Sequence, residues 1–323
     1  MVTGVGGFIG SRVARRLVQD GVRVVGVDDF SSGHRSSVPP EVDLLEMDLS
    51  QPDVPKRLPR NCGLVLHLAG QSSGELSFRD PADDLRRNTV STLNLIRYAS
   101  ENTVDRIVFA SSMSVYGDVP DLPVRESDRT EPLSCYGIAK LASERYLRLH
   151  RETVPSVILR MFNVYGPGQD LSNNCQGMVS IYLAQALDTG TIEVRGALER
   201  FRDLVYIDDV VEVWIRAGLV DVALGETYNV ATGVRTTVAD LLEQLCVLIP
   251  GSSHQVLPGT PGDQSGIYAD VSLLSRDLGL LCSTSLAVGL KRFVEWARQS
   301  VPSQVADLRC EGAPSQSAPP PNQ

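Results

Sequence analysis

The sequence predicts an α/β fold in which a doubly wound parallel sheet carries a smaller C-terminal lobe. Three observations support this prediction. Short apolar runs alternate with amphipathic helical patterns through the first half of the chain, as in parallel sheets with helices on both faces. Residues 24–27 read Val-Val-Gly-Val, which is typical of a strand buried on both sides. A glycine-rich turn joins the first strand to the first helix.

Each element follows from a local pattern. Strands are predicted where apolar runs are short, over residues 1–3, 22–27, 42–47, 64–68, 106–110, 157–161 and 227–230. Helices are predicted where apolar residues recur at helical spacing, over residues 11–20, 85–100, 136–150, 179–188, 237–249 and 286–300. We expect a first domain over residues 1–165 with segments near 203–232 returning to it, a substrate-binding lobe over 166–302, and a disordered tail over 303–323.

Composition argues against several classes of function. The 323-residue chain has a net charge of −9 and no basic cluster, so we expect neither nucleic acid nor an anionic membrane as a partner. Its six cysteines include no pair at CxxC spacing and it has four histidines, which argues against a metal site and a disulfide scaffold. No apolar run reaches the ~18 residues of a membrane span. These features predict a cytoplasmic protein.

A glycine motif runs from the end of the first strand into the first helix, as Gly4-Val5-Gly6-Gly7-Phe8-Ile9-Gly10. We expect Gly4 to allow a tight turn, Gly7 to let the backbone approach a pyrophosphate, and Gly10 to let the helix pack closely on the strand. The helix N-terminus, with Phe8 and Ile9 in its first turn, offers N–H groups and a partial positive charge to phosphates. The pattern predicts a Rossmann-type dinucleotide site.

An acidic residue at the end of the second strand indicates which dinucleotide binds. A carboxylate at Asp28 accepts hydrogen bonds from ribose hydroxyls and repels a 2′-phosphate, so we expect NAD rather than NADP. The alternative for Asp28 is an acid in a surface turn. Further predicted cofactor contacts are Asp48, Leu49, Leu68, Ala69, Gly70 and Asn88. His67 is interpreted as a packed core histidine.

Tyr136 and Lys140 stand four residues apart, which places both on one face of a helix. A cation beside a phenol, together with a positive nicotinamide ring, favours the phenolate. We expect Tyr136 then to exchange a proton with a substrate hydroxyl while NAD takes a hydride. Ser112 follows the strand over residues 106–110, at the sheet edge where ligands bind. The alternative for this serine run is ordinary turn chemistry.

The motifs resemble the extended short-chain dehydrogenase/reductases, specifically the NAD-dependent epimerase/dehydratase family. The resemblance covers roughly residues 2–298 and rests on segments in family order. These are the glycine motif, Ser111–Gly117, Tyr136–Lys140, Leu159–Gly168, Arg202–Val210 and Tyr228–Gly233. It implies that Ser112 hydrogen-bonds the reacting hydroxyl, that Tyr136 is the acid/base, and that Lys140 holds the nicotinamide ribose and tunes Tyr136.

The resemblance also implies a substrate site. Asn163 contacts the diphosphate of a nucleotide sugar and Arg202 pairs with it, whereas the alternative for Arg202 is an internal ion pair with Asp203. Ile267 aligns with a position that controls the acceptance of N-acetyl sugars. The family commonly forms homodimers through the helices predicted over residues 85–100 and 136–150.

The segment Ser112-Met113-Ser114 distinguishes branches of the family. Dehydratases resemble Thr-Asp-Glu here and decarboxylating relatives carry a glutamate at Ser114, but this chain has neither carboxylate. The remaining groups suit a 4-epimerase, in which the 4-keto sugar turns over and the same hydride returns to its other face. UDP-glucose/UDP-galactose epimerases and their N-acetylhexosamine variants are the expected class. The alternatives are another nucleotide-sugar dehydratase or reductase, and a non-catalytic NAD-binding sensor.

Overall fold

The computed structural model describes residues 1–173, 177–259 and 266–310. The strands are β1 (Val2–Thr3), β2 (Val25–Asp28), β3 (Asp43–Glu46), β4 (Leu64–His67), β5 (Arg106–Ser112), β6 (Ser156–Met161), β7 (Asn163–Tyr165), β8 (Thr191–Arg195), β9 (Phe201–Arg202), β10 (Leu204–Tyr206), β11 (Thr227–Val230), β12 (Thr236–Thr237), β13 (Ser253–Leu257) and β14 (Gly266–Ile267). The α-helices are α1 (Phe8–Gln19), α2 (Val54–Arg57), α3 (Gly74–Arg79), α4 (Pro81–Leu85), α5 (Ser91–Glu101), α6 (Cys135–Leu149), α7 (Met178–Asp188), α8 (Ile207–Leu219), α9 (Val238–Leu248), α10 (Ser272–Leu278) and α11 (Leu286–Cys310).

Among the described residues, seven parallel strands form the central sheet, in the spatial order β3-β2-β1-β4-β5-β6-β11. The chain builds outward from β1 to β3, then crosses back and builds from β4 to β11. Strand order therefore reverses at β1, which is the doubly wound Rossmann arrangement. The predicted fold class is confirmed.

The alternation of side chains along β5 shows how the sheet is buried on both faces. All seven residues of β5 are buried. Val108 and Ala110 join a core shared with α1 and α8, whereas Ile107 and Phe109 join a second core shared with α2, α5 and α6. Successive residues of a strand point to opposite faces, so the middle of a strand between two helical layers is apolar on both faces.

The helix predicted over residues 85–100 is divided in the structure. A π-helical turn, Arg86–Val90, separates α4 from α5. In this turn the carbonyl of Asn88 accepts hydrogen bonds from the hydroxyls of Thr92 (2.8 Å) and Ser143 (3.1 Å). Ser143 belongs to α6, so the turn is tied to the helix that carries Tyr136 and Lys140. The apolar pattern does not reveal it, because a π turn shifts the helical period only locally.

The predicted tail also requires a correction. Helix α11 continues to Cys310, so residues 303–310 are helical and not disordered. This stretch contains Gln, Ala, Leu and Arg, which are good helix formers and extend a helix that has already begun. The rest of the predicted tail, residues 311–323, lies outside the described residues.

The second half of the chain alternates between the sheet and the lobe. Helix α8 packs against α1, and β11 pairs with β6, so this segment belongs to the central sheet. The lobe contains the parallel pair β8–β13 and the small sheet β12-β9-β14. None of the described helices is long and apolar enough to cross a membrane.

Candidate active site

A cleft of about 600 Å³ opens at the carboxyl ends of the central strands. The structure brings most of the predicted cofactor contacts together around it, although their ligand roles stay predictions. Those that line it are Gly4, Gly7, Phe8, Ile9, Gly10, Asp28, Asp48, Leu49, Leu68, Ala69, Gly70, Tyr136 and Lys140. The cleft lies where the strand order reverses, which is where doubly wound sheets bind nucleotides.

The glycine turn forms a cradle that larger residues would fill. A Cβ at Gly10 would collide with the carbonyl oxygen of Gly4, as expected for close helix–strand packing. Gly4 has φ +69°, and a Cβ there would lie 2.7 Å from the backbone nitrogen of Ala69. No side chain caps α1 at Gly7, so its first N–H groups are open to an anion. This cradle fits the pyrophosphate of NAD.

Asp28 lies at the end of β2 and is 9% exposed. Its carboxylate accepts hydrogen bonds from the backbone N–H groups of Gly6 and Phe30, both at 2.8 Å. Burial raises the pKa of Asp28, and these two bonds oppose the increase. The loop bonds fix the carboxylate at the cleft, where remaining lone pairs suit ribose hydroxyls. Asp48 is engaged with Ser50 and Arg86, at 2.7 and 2.5 Å.

Tyr136 and Lys140 lie one turn apart on α6, which Ser134 caps by accepting a bond from Gly137 N–H (3.1 Å). Burial lowers the pKa of Lys140 to about 8, and Asp84 opposes this shift. Burial raises the pKa of Tyr136 to about 12, while a hydrogen bond with Ser112 lowers it and Asp84 raises it further. Tyr136 is therefore protonated at neutral pH, and a further positive charge in the cleft would lower its pKa and favour the phenolate.

Ser112 ends β5 beside Tyr136. Its Oγ accepts a hydrogen bond from Ser114 N–H at 3.2 Å and lies 3.1 Å from Ser114 Oγ. The structure thus joins the three predicted catalytic residues, Ser112, Tyr136 and Lys140, through side chains from β5 and α6. Their catalytic roles stay predictions.

A buried ion pair behind the site was missed by sequence reasoning. Glu144 accepts hydrogen bonds from Arg160 Nη2 (2.7 Å), Arg160 Nε (2.9 Å) and Ser111 Oγ (2.5 Å). Both charged side chains are at most 2% exposed. These contacts connect α6 to β5 and β6, and thereby support Tyr136. The available signal was Glu144 itself, which follows Lys140 by four residues on the same helical face.

Three of the predicted substrate residues, Asn163, Arg202 and Ile267, lie outside the cleft lining. Asn163 begins β7, and its buried Oδ1 has no hydrogen-bond partner within the described structure. Arg202 on β9 donates to the carbonyl of Phe201 at 2.7 Å. Ile267 pairs with Arg202 in the β9–β14 ladder and is 3% exposed in a small apolar core. Asp203 accepts hydrogen bonds from the backbone N–H and the hydroxyl of Thr232, at 2.8 and 2.6 Å.

Two further positions were interpreted from sequence. His67 is fully buried between the hydroxyls of Thr3 (2.8 Å) and Thr92 (3.1 Å). Burial, followed by the charge of Lys140, lowers its pKa to about 3, so the core interpretation is confirmed. Asn88 is buried directly behind Gly70 and does not line the cleft.

The fold and the cleft at its switch point define a dinucleotide-binding enzyme class. Residues 1–231 match the model of the NAD dependent epimerase/dehydratase family, and the chain belongs to that family. Its cofactor is NAD.

Known relatives resemble the chain over nearly its whole length. A UDP-glucose 4-epimerase of Mycolicibacterium smegmatis is 33% identical, covering 92% of this chain and 98% of the relative. The crystal structure of a Thermotoga maritima UDP-glucose 4-epimerase with UDP-glucose is 33% identical at a TM-score of 0.89, covering 93% and 98% of the two chains. A Thermus thermophilus UDP-glucose 4-epimerase in complex with NAD is 31% identical at a TM-score of 0.84, covering 92% and 98%.

Proposed function

We propose that the protein is an NAD-dependent 4-epimerase of UDP-linked hexoses, either UDP-glucose/UDP-galactose or their N-acetyl counterparts. The observation that carries this proposal is the grouping of Ser112, Tyr136 and Lys140 without an acid in the adjoining turn, Met113–Val115. Elimination of water or carbon dioxide would require a further acid–base group, whereas epimerisation requires reversible oxidation at one carbon.

Each residue of the group has a distinct part in the proposed reaction. Tyr136 takes the proton from the C4 hydroxyl oxygen as a phenolate and returns it at the end of the cycle. Ser112 shares a hydrogen bond with Tyr136 and orients the same oxygen. Lys140 stays an ammonium and stabilises the phenolate. When bound, NAD accepts a hydride from the sugar and gives it back.

The diphosphate of the substrate requires positive and polar groups from the lobe. Arg202 suits this part because a guanidinium binds phosphate in a bidentate manner. Asn163 would reach the diphosphate through its side-chain NH₂ group, while its Oδ1, which has no partner in the described structure, suits a hydroxyl of the ligand. Ile267 is assigned to the sugar side, where its size affects acceptance of an N-acetyl group.

Two accompanying proposals concern assembly and location. We expect a homodimer through α5 and α6, since Ile138, Tyr146 and Leu149 on α6 are 54, 40 and 75% exposed. Light scattering checks the dimer.

We also propose a cytoplasmic location. A reducing compartment is supported by the unpaired cysteines Cys62, Cys135, Cys246 and Cys282.

The purified protein should be incubated with UDP-glucose, UDP-galactose, their N-acetyl counterparts and UDP-glucuronate, and the sugars followed by NMR. We expect a C4 epimer to form without lasting absorbance of NADH. A stable 4-keto product would identify a dehydratase, and NADH in proportion to substrate would identify a dehydrogenase. Binding of NAD without any turnover of these or other nucleotide sugars would support a sensor.

A further inference from the structure

Asp84 is a buried carboxylate beside Tyr136 and Lys140 that the proposed reaction does not use. It lies on α4, is 2% exposed, and contributes to the cleft lining. A buried carboxylate is costly unless it is paired and hydrogen-bonded. Its presence at this cleft therefore requires a physical reason.

The hydrogen bonds of Asp84 are incomplete on one side. Its Oδ1 accepts from Gln71 Nε2 at 2.9 Å and from Asn88 Nδ2 at 3.0 Å. Within the described structure, its buried Oδ2 has no hydrogen-bond partner, and neither has the buried Oδ1 of Asn88. Two unpaired acceptors in one cluster indicate a site for positive charge or for a donor.

The neighbouring arginines are engaged elsewhere. Arg86 binds Asp48 and Asp83, each at 2.5 Å. Arg87 binds Asp83 at 2.6 Å and Asp29 at 3.1 Å. Both arginines therefore neutralise carboxylates other than Asp84.

Lys140 is the cation that acts on Asp84. Burial raises the pKa of Asp84, and the charge of Lys140 lowers it again. Lys140 and Asn88 approach each other at Gly70, on the floor of the cleft. A Cβ at Gly70 would collide with Asn88 Oδ1 and lie 3.3 Å from Lys140 Nζ. Asn88 and Lys140 thus meet behind one glycine, and Asn88 in turn donates to Asp84 at 3.0 Å.

The other titratable groups facing this pair are few. Asp83 on the same helix raises the pKa of Asp84, but its own charge is offset by two arginines. His67 on β4 is neutral because burial, and then Lys140, lower its pKa to about 3. Tyr136 on α6 is protonated. Asp84 is therefore the charged group that opposes the effect of burial on the pKa of Lys140.

We propose that Asp84 is a positioning residue whose ionised carboxylate is the fixed counter-charge that keeps Lys140 an ammonium at the floor of the cleft. Through Lys140 it stabilises the phenolate of Tyr136; only this last step rests on the proposed function. No proton passes to Asp84 in the cycle. Gln71 and Asn88 hold the carboxylate by donating to one oxygen. The other oxygen has no hydrogen-bond partner in the described structure, so the carboxylate acts on Lys140 through space.

The test measures the protonation of Lys140 directly. The full-length protein is acetylated competitively with acetic anhydride across a range of pH, with and without NAD, and the modification of Lys140 is followed by mass spectrometry. We expect the wild-type midpoint near the lowered pKa of about 8. Asp84→Asn removes the counter-charge at nearly constant shape, so its midpoint should fall by at least about one pH unit.

Three further variants serve as controls for this result. Asp83→Asn removes a charge from the same short helix but outside the buried cluster, and should leave the midpoint unchanged. Asp84→Glu should restore most of the wild-type midpoint. Gln71→Leu removes one hydrogen bond to Asp84 without removing its charge, so we expect a smaller decrease in the acetylation midpoint. This variant replaces Asp84→Asn in the test if Asp84→Asn does not fold. Equal midpoints in wild type, Asp84→Asn and Gln71→Leu would overturn the proposal.

A second measurement separates this inference from the proposed function. The alkaline limb of kcat against pH should move down with the acetylation midpoint in Asp84→Asn, whereas loss of activity without such a displacement would indicate a merely structural role. The acetylation result needs no substrate. If the wild type epimerises no nucleotide sugar but the Lys140 midpoint still falls in Asp84→Asn, the proposed function fails and the positioning of Lys140 stands.

Discussion

The cofactor cleft and the predicted substrate site differ in how their residues are held. In the cleft, neighbouring parallel strands end at one edge, and each supplies a short turn with one or two contacts. At the predicted substrate site, Asn163, Arg202 and Ile267 come from β7, β9 and β14, which are two or three residues long. We expect a site built from adjacent turns of one large sheet to be largely formed before its ligand binds. We expect the geometry of a site built from short strands of small sheets to be fixed to a greater extent by the binding of its ligand.

The cores beneath the two regions explain this difference. Tyr136 and Lys140 stand on a helix fixed to β5 and β6 by the buried pair of Glu144 and Arg160. Arg202 is half-buried on a two-residue strand. Changes in the cleft should therefore affect chemistry and stability, and changes in the lobe should affect affinity for the substrate.

The largest effect is expected from Tyr136→Phe. Loss of the acid/base should lower turnover by about 10²–10⁴-fold, while NAD still binds because the fold does not need the hydroxyl. Turnover rates and NAD titration by calorimetry measure the two quantities. Near-full activity would remove Tyr136 from the proposed mechanism.

A large loss of stability should follow from Glu144→Ala. Breaking one partner of a buried pair leaves Arg160 charged without compensation and costs about 3–5 kcal/mol of unfolding free energy. The matched control is Asp43→Ala, because Asp43 pairs with Arg23 at 2.9 Å where both side chains are more than half exposed. That change should cost less than about 1 kcal/mol. Similar urea midpoints for both variants would contradict the distinction between the two pairs.

A smaller effect, confined to the lobe, should follow from Arg202→Gln. Loss of a charged hydrogen bond to the diphosphate is worth about 1.5–3 kcal/mol, or roughly 10–100-fold in KM for the nucleotide sugar. The affinity for NAD should not change. A decrease in NAD affinity with an unaltered KM for the nucleotide sugar would show that Arg202 contacts NAD and not the diphosphate of the substrate.

The smallest effect should follow from Asp28→Ala, which removes the carboxylate at the ribose. NAD should bind about tenfold more weakly relative to NADP, because one charged hydrogen bond and one repulsion of a 2′-phosphate are lost together. Titration with both cofactors gives the ratio. An unchanged ratio of NAD to NADP affinity would contradict the ribose contact and limit Asp28 to its hydrogen bonds with the loop at Gly6 and Phe30.

The sequence was informative where a function depends on a short segment. The glycine motif and Tyr136–Lys140 are each short segments. Their spacing predicted that Gly10 lets the first helix pack closely on the first strand, and that the tyrosine and lysine share a helical face. The Asp84 cluster was not predictable in this way. It joins α4, a π turn and α6, and such long-range packing leaves no periodic signal in the sequence.

The most direct test of the central claim uses UDP-glucose labelled with deuterium at C4. If Tyr136 and the NAD cleft carry out reversible oxidation at that carbon, the product with inverted C4 should retain the deuterium when the reaction runs in ordinary water. NMR of the isolated product measures the label, and Tyr136→Phe serves as the blank. Retention of the label at an inverted C4 is the predicted result. Inversion with loss of the deuterium to solvent, or conversion without inversion at C4, would contradict the account.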